Sequence, residues 1–204
     1  MPLRVLGFEP FDGLSHRQVR ESISRHSGHD WAWVTRPPRA WKWRMMTGAW
    51  EMVAEAMKQG LLDPPPDVLF ATSLLDVASL RAAMPRGSRD IPIVLYMHEN
   101  QVVYPRSEQG DVRDARFALT NLSSMLAADA VIFNSTWNME SCIEGLMGLV
   151  RMQGDCAMGD VEAIIRERSR VVWPPVEEPP AESQVLHNAG SGGSTRVLWP
   201  HRWE

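Results

Sequence analysis

Short apolar runs, each too brief for a buried helix, recur along this chain, and longer stretches with helical spacing lie between them. Leu3–Leu6, Trp31–Thr35, Val68–Ala71, Ile93–Tyr96, Ala130–Phe133 and Val171–Trp173 read as strands. Arg17–His26, Ala49–Met57, Asp76–Met84, Asp111–Ala127, a stretch through Met139 and Val150, and Val161–Arg168 read as helices. In the clearest of these, Ala115, Ala118, Leu119, Leu122, Met125 and Leu126 share a face while Arg113, Arg116 and Thr120 face away, and Asp111 is placed to cap it. Few folds accommodate that alternation. Strands alternating with helices of this length form a parallel sheet covered on both faces, so the expected class is α/β with a doubly wound sheet.

The alternation stops near residue 176. Glu177 to Ser194 is rich in proline, glutamate, glycine and serine and reads as a linker. Thr195–Trp199 then resembles another strand, so residues 1–176 are expected to form one domain, 177–194 a linker, and 195–204 the opening of a second domain. At 44% apolar residues, the 204-residue chain can supply a full core. It contains no run near the ~18 uncharged apolar residues of a membrane span. The start, MPLRVLGFEPF, lacks the pattern of a secretory signal. A cytoplasmic location without a membrane partner is the expectation. Cys142 and Cys156 have no metal-ligand spacing and read as free thiols, Cys142 on an apolar helical face. A net charge of −4 argues against a generally basic nucleic-acid binder, so any polyanion must meet a local patch.

Parallel order gathers the strand ends on one edge of the sheet, where open α/β folds hold ligands. Gly13, Ser15 and His16 stand just before a helix, a place where close backbone approach and free amides favour phosphate or carboxylate. The spacing is not GxGxxG, so a dinucleotide fingerprint is absent, and an ordinary turn is the competing reading. A proline-bounded loop then combines Arg36, Arg39, Lys42 and Arg44 with Trp41 and Trp43. Cations interleaved with indoles suit phosphates and unpaired bases, unless the tryptophans pack inward and the charges merely face water. Thr72, Ser73 and Asp76 fit helix capping. The fourth strand breaks into His98, Glu99, Asn100 and Gln101, followed by Tyr104, a cluster that points to a site. Asn134 and Ser135, with Asn138, fit either capping or an oxygen-rich ligand. No Ser-His-Asp order, HExxH or cysteine pairing is present, and no metal site is expected. The residues alone indicate an α/β domain whose loops face a polar, phosphorylated or hydroxylated ligand.

The segments AWKWRMMTGAW, YMHENQVVYP, ADAVIFNSTWNMES and LWPHRWE closely resemble the glycosyltransferase-like family that includes the tRNA-queuosine alpha-mannosyltransferases. DGLSH is similar to that family's G-G-S-H, with Leu14 replacing the second glycine. The resemblance implies the GT-B architecture, two Rossmann-like domains facing across a cleft, of which this chain is the N-terminal half. It implies transfer of mannose from GDP-mannose to queuosine in a tRNA anticodon, with retention of configuration and no obligatory metal. On that resemblance Gly13, Ser15 and His16 lie beside the donor phosphates, with Asn134 and Ser135 closing the same wall. His98 and Glu99 are the catalytic candidates. Asn100, Gln101 and Tyr104 meet the acceptor together with Trp41, Lys42, Trp43 and Arg44, while His201 and Arg202 open the second domain's donor loop. Since most nucleotide contacts in such enzymes come from that second domain, this chain alone is expected to transfer no sugar. The alternatives are a glycosyltransferase with another nucleotide sugar or a small-molecule acceptor, and a non-catalytic tRNA- or sugar-binding module.

Overall fold

A computed structural model describes residues 1–103, 115–152 and 159–175. The expected linker and second-domain strand, and with them Tyr104, Asp111, Cys156, His201 and Arg202, lie outside the described residues. Six strands, β1 (Arg4–Glu9), β2 (Asp30–Thr35), β3 (Val68–Thr72), β4 (Ile93–Met97), β5 (Ala130–Phe133) and β6 (Ser169–Val171), form one sheet. Six helices alternate with them: α1 (Leu14–His26), α2 (Trp41–Lys58), α3 (Val77–Ala83), α4 (Ala115–Ala127), α5 (Thr136–Arg151) and α6 (Val161–Arg168). The strand order is β2-β1-β3-β4-β5-β6 and every pairing is parallel. This is the Rossmann-like α/β class that the alternation predicts.

The order reverses direction between β1 and β3, and that reversal divides the helices. Connections between parallel strands are right-handed, so a chain moving one way across the sheet lays its helix on one face and a chain moving back uses the other. Accordingly Val19 and Ile23 of α1 pack with Val5, Phe70, Tyr96, Trp31 and Trp33 on one face. The other face carries the larger core, where Met52, Leu80, Leu122, Ile143 and Ile165 from α2 to α6 meet Leu6, Phe8, Leu69, Leu95, Val131 and Phe133. Phe8 and Phe133 are fully buried, each worth about 2–3 kcal/mol of apolar transfer.

Several boundaries differ from the sequence reading. β1 runs three residues past Leu6, through Gly7 and Phe8 to Glu9. Helix α1 begins at Leu14 rather than Arg17, which places Ser15 and His16 inside its first turn. The largest correction concerns Trp41–Arg44, expected in a loop but found as the first turn of α2. The buried stripe Met45, Ala49, Met52, Val53 and Ala56 already has helical period, and the helix extends back along it to residue 41. The last strand is Ser169–Val171, set two residues earlier than expected by pairing with Val131 and Phe133.

The amino edge of the sheet is tied by arginines. Arg4 donates to the Pro64 carbonyl while its backbone N–H binds Asp67. Arg81 donates to the Ala127 carbonyl at the end of α4 and to Asp129, whose carboxylate also accepts from the Ile93 N–H. Arg168 donates to the Leu126 and Ala128 carbonyls. Late helical carbonyls that lack intrahelical partners are thereby satisfied.

Candidate functional site

Register carries the polar residues of three strands to one level. Phe8 pairs with Ala71, so Glu9 stands level with Thr72, and Thr72 pairs with Tyr96. Side chains at one level of a parallel sheet share a face, here the one that α1 covers. All three residues are buried, and among the described residues Glu9 Oε2, Thr72 Oγ1 and Tyr96 OH have no hydrogen-bond partner. Ser73 Oγ, one residue further along, is buried and unpartnered in the same way. Buried polar atoms of this kind are uncommon. The row lies at the carboxyl ends of β1 and β3, the reversal point where this fold class binds ligands.

Two histidines close over it. His16, in the first turn of α1, directs Nδ1 to Glu9 Oε1 at 3.2 Å. His98, just past β4, brings Nε2 to 3.8 Å from Glu9 Oε2. The two imidazoles stack with centroids 3.9 Å apart and planes 27° from parallel, and Tyr96 meets His98 edge-on at 4.7 Å. Glu9 Oε1 also accepts the Phe11 backbone N–H at 2.8 Å. Burial pulls the His16 pKa down, but the hydrogen bond to Glu9 and the charges of Glu9, Glu99 and Asp12 outweigh it, and the net direction is up. Burial, and then the charge on His16, push His98 down to about 2. Burial raises Glu99 as well, with His16 pulling it back and Glu9 adding to the rise. Tyr96 is pushed up to about 12 by burial.

The ring nitrogens of His16 and His98 and the Glu9 carboxylate lie within 4.8 Å of one another, close enough to consider a metal ion. Imidazole lone pairs lie in the ring plane, however, and two nearly parallel stacked planes do not meet at a point about 2 Å from both nitrogens. As arranged, Glu9 and His16 suit the sharing of a proton, with His98 stacked beside them.

The surrounding loops are held by a network of amides. Ser135 caps α5 by accepting from the Asn138 N–H. Asn134 donates to the His98 carbonyl at 2.6 Å and accepts from Asn138. Asn138, buried, also donates to the Met97 carbonyl and accepts from Asn100 at 2.6 Å. Asn100 in turn accepts from the Val103 N–H, and the Gln101 N–H binds Asn121. Asn100, Asn134 and Ser135 thus all have partners within the protein. A Cβ on Gly145 of α5 would fall 2.1 Å from Val102, so glycine there lets this segment lie against the helix.

The first loop is equally constrained. Gly13 is the N-cap of α1, and a Cβ there would sit 2.5 Å from Pro38. Asp12 receives Arg20 at 2.8 Å, with Arg17 at 3.5 Å. Ser15 is exposed. Leu14 takes φ 44°, the left-handed region that favours glycine.

Helix α2 separates the basic-aromatic residues. Trp41 packs on Phe117 at 5.1 Å, with Lys42 Nζ 5.8 Å from its ring. Trp43, two residues on, is 66% exposed. Arg44 and Arg36 both bind the Glu51 carboxylate, so two of the four expected cations are already paired. Sequence reasoning missed Glu9. The signal was an acid embedded in the run VLGFE, visible once Gly7 is allowed inside the strand.

A doubly wound parallel sheet whose order reverses between β1 and β3 defines a Rossmann-like α/β domain, and the buried acid–histidine cluster sits at that reversal point. The chain belongs to the tRNA-queuosine alpha-mannosyltransferase N-terminal family, whose profile matches residues 4–176. The tRNA-queuosine alpha-mannosyltransferase of Drosophila melanogaster is 31% identical over 207 aligned residues, covering 98% of this chain and 53% of the fly protein. The chain therefore spans about half the length of that relative. A solved structure of the Salmonella typhimurium RcsB response regulator aligns over 91% of this chain and 75% of its own at 12% identity. Its TM-score of 0.37 is too low to bear on fold or function.

Proposed function

We propose that this chain is the acceptor-side half of a two-domain GT-B glycosyltransferase that moves mannose from GDP-mannose to queuosine in a tRNA anticodon, with retention and without an obligatory metal. The family match over residues 4–176 carries the reading. The buried Glu9–His16–His98 cluster at the reversal point supports it chemically. In such a transfer the bond from the anomeric carbon to the leaving diphosphate breaks, a bond to the acceptor hydroxyl forms, and the hydroxyl proton is released. Positive character grows on the sugar and negative charge on the diphosphate, so preorganised donors have the most to contribute. Gly13, Ser15 and His16 take the donor phosphates, and His98 and Glu99 flank the transferred sugar. Exposed Trp43, with Lys42, offers a stacking surface for the tRNA. The enzyme works in the cytoplasm. Among the described residues no helix is long and apolar enough to cross a membrane.

Two measurements test this. The chain should bind queuosine-bearing tRNA more tightly than the same tRNA without queuosine, and equal affinity would remove queuosine recognition. Labelled GDP-mannose should yield no mannosylated tRNA with the 204-residue chain alone and should yield product when the chain is extended by a second domain. Turnover by the chain alone would overturn the split donor site.

A further inference from the structure

Two imidazoles stacked 3.9 Å apart cannot both hold a proton cheaply, because their like charges would face each other across a buried contact. Something must decide which ring is the cation. Among the described groups facing His16 are Asp12 from the loop before α1, Glu9 from β1, and His98 and Glu99 from the segment after β4. Asp12 is engaged by Arg17 and Arg20 from the same helix. Glu99 contributes charge at a distance, without a hydrogen bond to the ring. Glu9 alone of these carboxylates makes a hydrogen bond to His16, at 3.2 Å. It is completely buried, and the Phe11 N–H fixes the same oxygen. Its second oxygen lies 3.8 Å from His98 Nε2, too far for a hydrogen bond.

We propose that Glu9 is a positioning residue that confines the stacked pair's one additional proton to His16, whose Nδ1–H donates to Glu9 Oε1, leaving His98 a neutral imidazole. The consequence for the reaction rests on the reading under Proposed function. A cationic His16 opposes the charge that develops on the leaving diphosphate, while neutral His98 keeps a lone pair to accept from a sugar hydroxyl. Swapping the proton between the rings would reverse both roles.

The test is a nitrogen-15 NMR titration of the histidine rings in the 204-residue chain between about pH 5 and 8. The His16 midpoint should lie above the ordinary histidine value, and His98 should stay neutral throughout. In Glu9→Gln the His16 midpoint should fall by about one pH unit or more. An unchanged midpoint in a variant that retains the wild-type circular dichroism would overturn the proposal. Should Glu9→Gln fail to fold, His98→Gln serves instead. The His16 midpoint should then hold or rise, because the competing ring is gone while Glu9 remains. A fall to the ordinary value would show that the stack, and not Glu9, held the proton. Neither arm uses nucleotide sugar or tRNA, so proton placement can fail while the transferase reading stands, and the reverse.

Discussion

The imidazole of His98 lies against that of His16 at 3.9 Å, buried beside the Glu9 carboxylate. His98 is held neutral, its pKa pushed down to about 2 by burial and by His16. In the unfolded chain it titrates near ~6.5. Below that pH the unfolded state binds a proton that the folded state refuses. The contribution of neutral His98 is therefore intact above about pH 6.5 and lost progressively as pH falls, with a slope approaching ~1.4 kcal/mol per pH unit. His16 works in the opposite sense. Its pKa is raised, so its contribution is full below ~6.5 and lost as pH rises through the folded value. Thermal melts from about pH 4 to 7 should show His98→Phe losing less stability on acidification than the wild type. Identical acid responses would mean that another group governs it.

Asn138 joins the segments after β4 and β5 through Met97, Asn134 and Asn100. Truncation to alanine takes the side-chain donor from the buried Met97 carbonyl and the shorter of its two acceptors from the buried Asn100 amide. A loss of about 2–3 kcal/mol is expected in denaturant unfolding. Hydrogen exchange should quicken at residues 98–103 before it does in α2 or α3. Wild-type exchange at 98–103 in the variant would show that the amide network does not hold this segment.

Trp41 and Trp43 should separate cleanly. Trp41→Ala removes an aromatic contact with Phe117 and should destabilise by about 1–2 kcal/mol. Trp43→Ala, at an exposed position, should change stability by less than ~0.5 kcal/mol. If Trp43 stacks on a base, its loss should weaken tRNA binding about tenfold. Filter binding alongside the melts reads both effects. Full tRNA affinity in Trp43→Ala would move the acceptor surface elsewhere.

Leu14 takes φ 44° while its side chain lies 90% exposed, so it bears the backbone cost without compensating burial. Leu14→Gly relieves roughly 1–2 kcal/mol of left-handed strain and gives back about 0.5–1 through chain entropy. The expected result is a melting temperature equal to or slightly above that of the wild type. Leu14→Val, β-branched at a positive φ, should melt lower than both. A clear drop for glycine would mean that the leucine has a partner of its own.

The sheet was legible because apolar runs and helical stretches alternate so regularly, and His16 and His98 could be named because each follows a strand. The acid that joins them was harder to see. Gly7 looks like the end of a strand, so Glu9 falls into the apparent loop, and only pairing with Val34 and Thr35 shows that the strand continues. Spacing also misplaced Trp41–Arg44, because two prolines and four cations resemble a loop when the buried stripe behind them cannot be seen. Asn134 and Ser135 were readable as polar groups at a strand end. The bonds among Asn134, Ser135 and Asn138 are local, but Asn134's bond to the His98 carbonyl joins segments 36 residues apart in the chain, which no local pattern records.

The two edges of the sheet are fastened by different chemistry. At the amino edge Arg4, Arg81 and Arg168 grip carbonyls and carboxylates, and a guanidinium keeps its charge at any pH a cell meets. At the carboxyl edge the contacts run from Glu9 to His16 and across the stack to His98, an imidazole that the folded state keeps neutral and that must take a proton when acid opens the site. Acidification should therefore open the molecule like a book bound along its amino edge. The pages part first where a ligand would enter, and the spine stays shut.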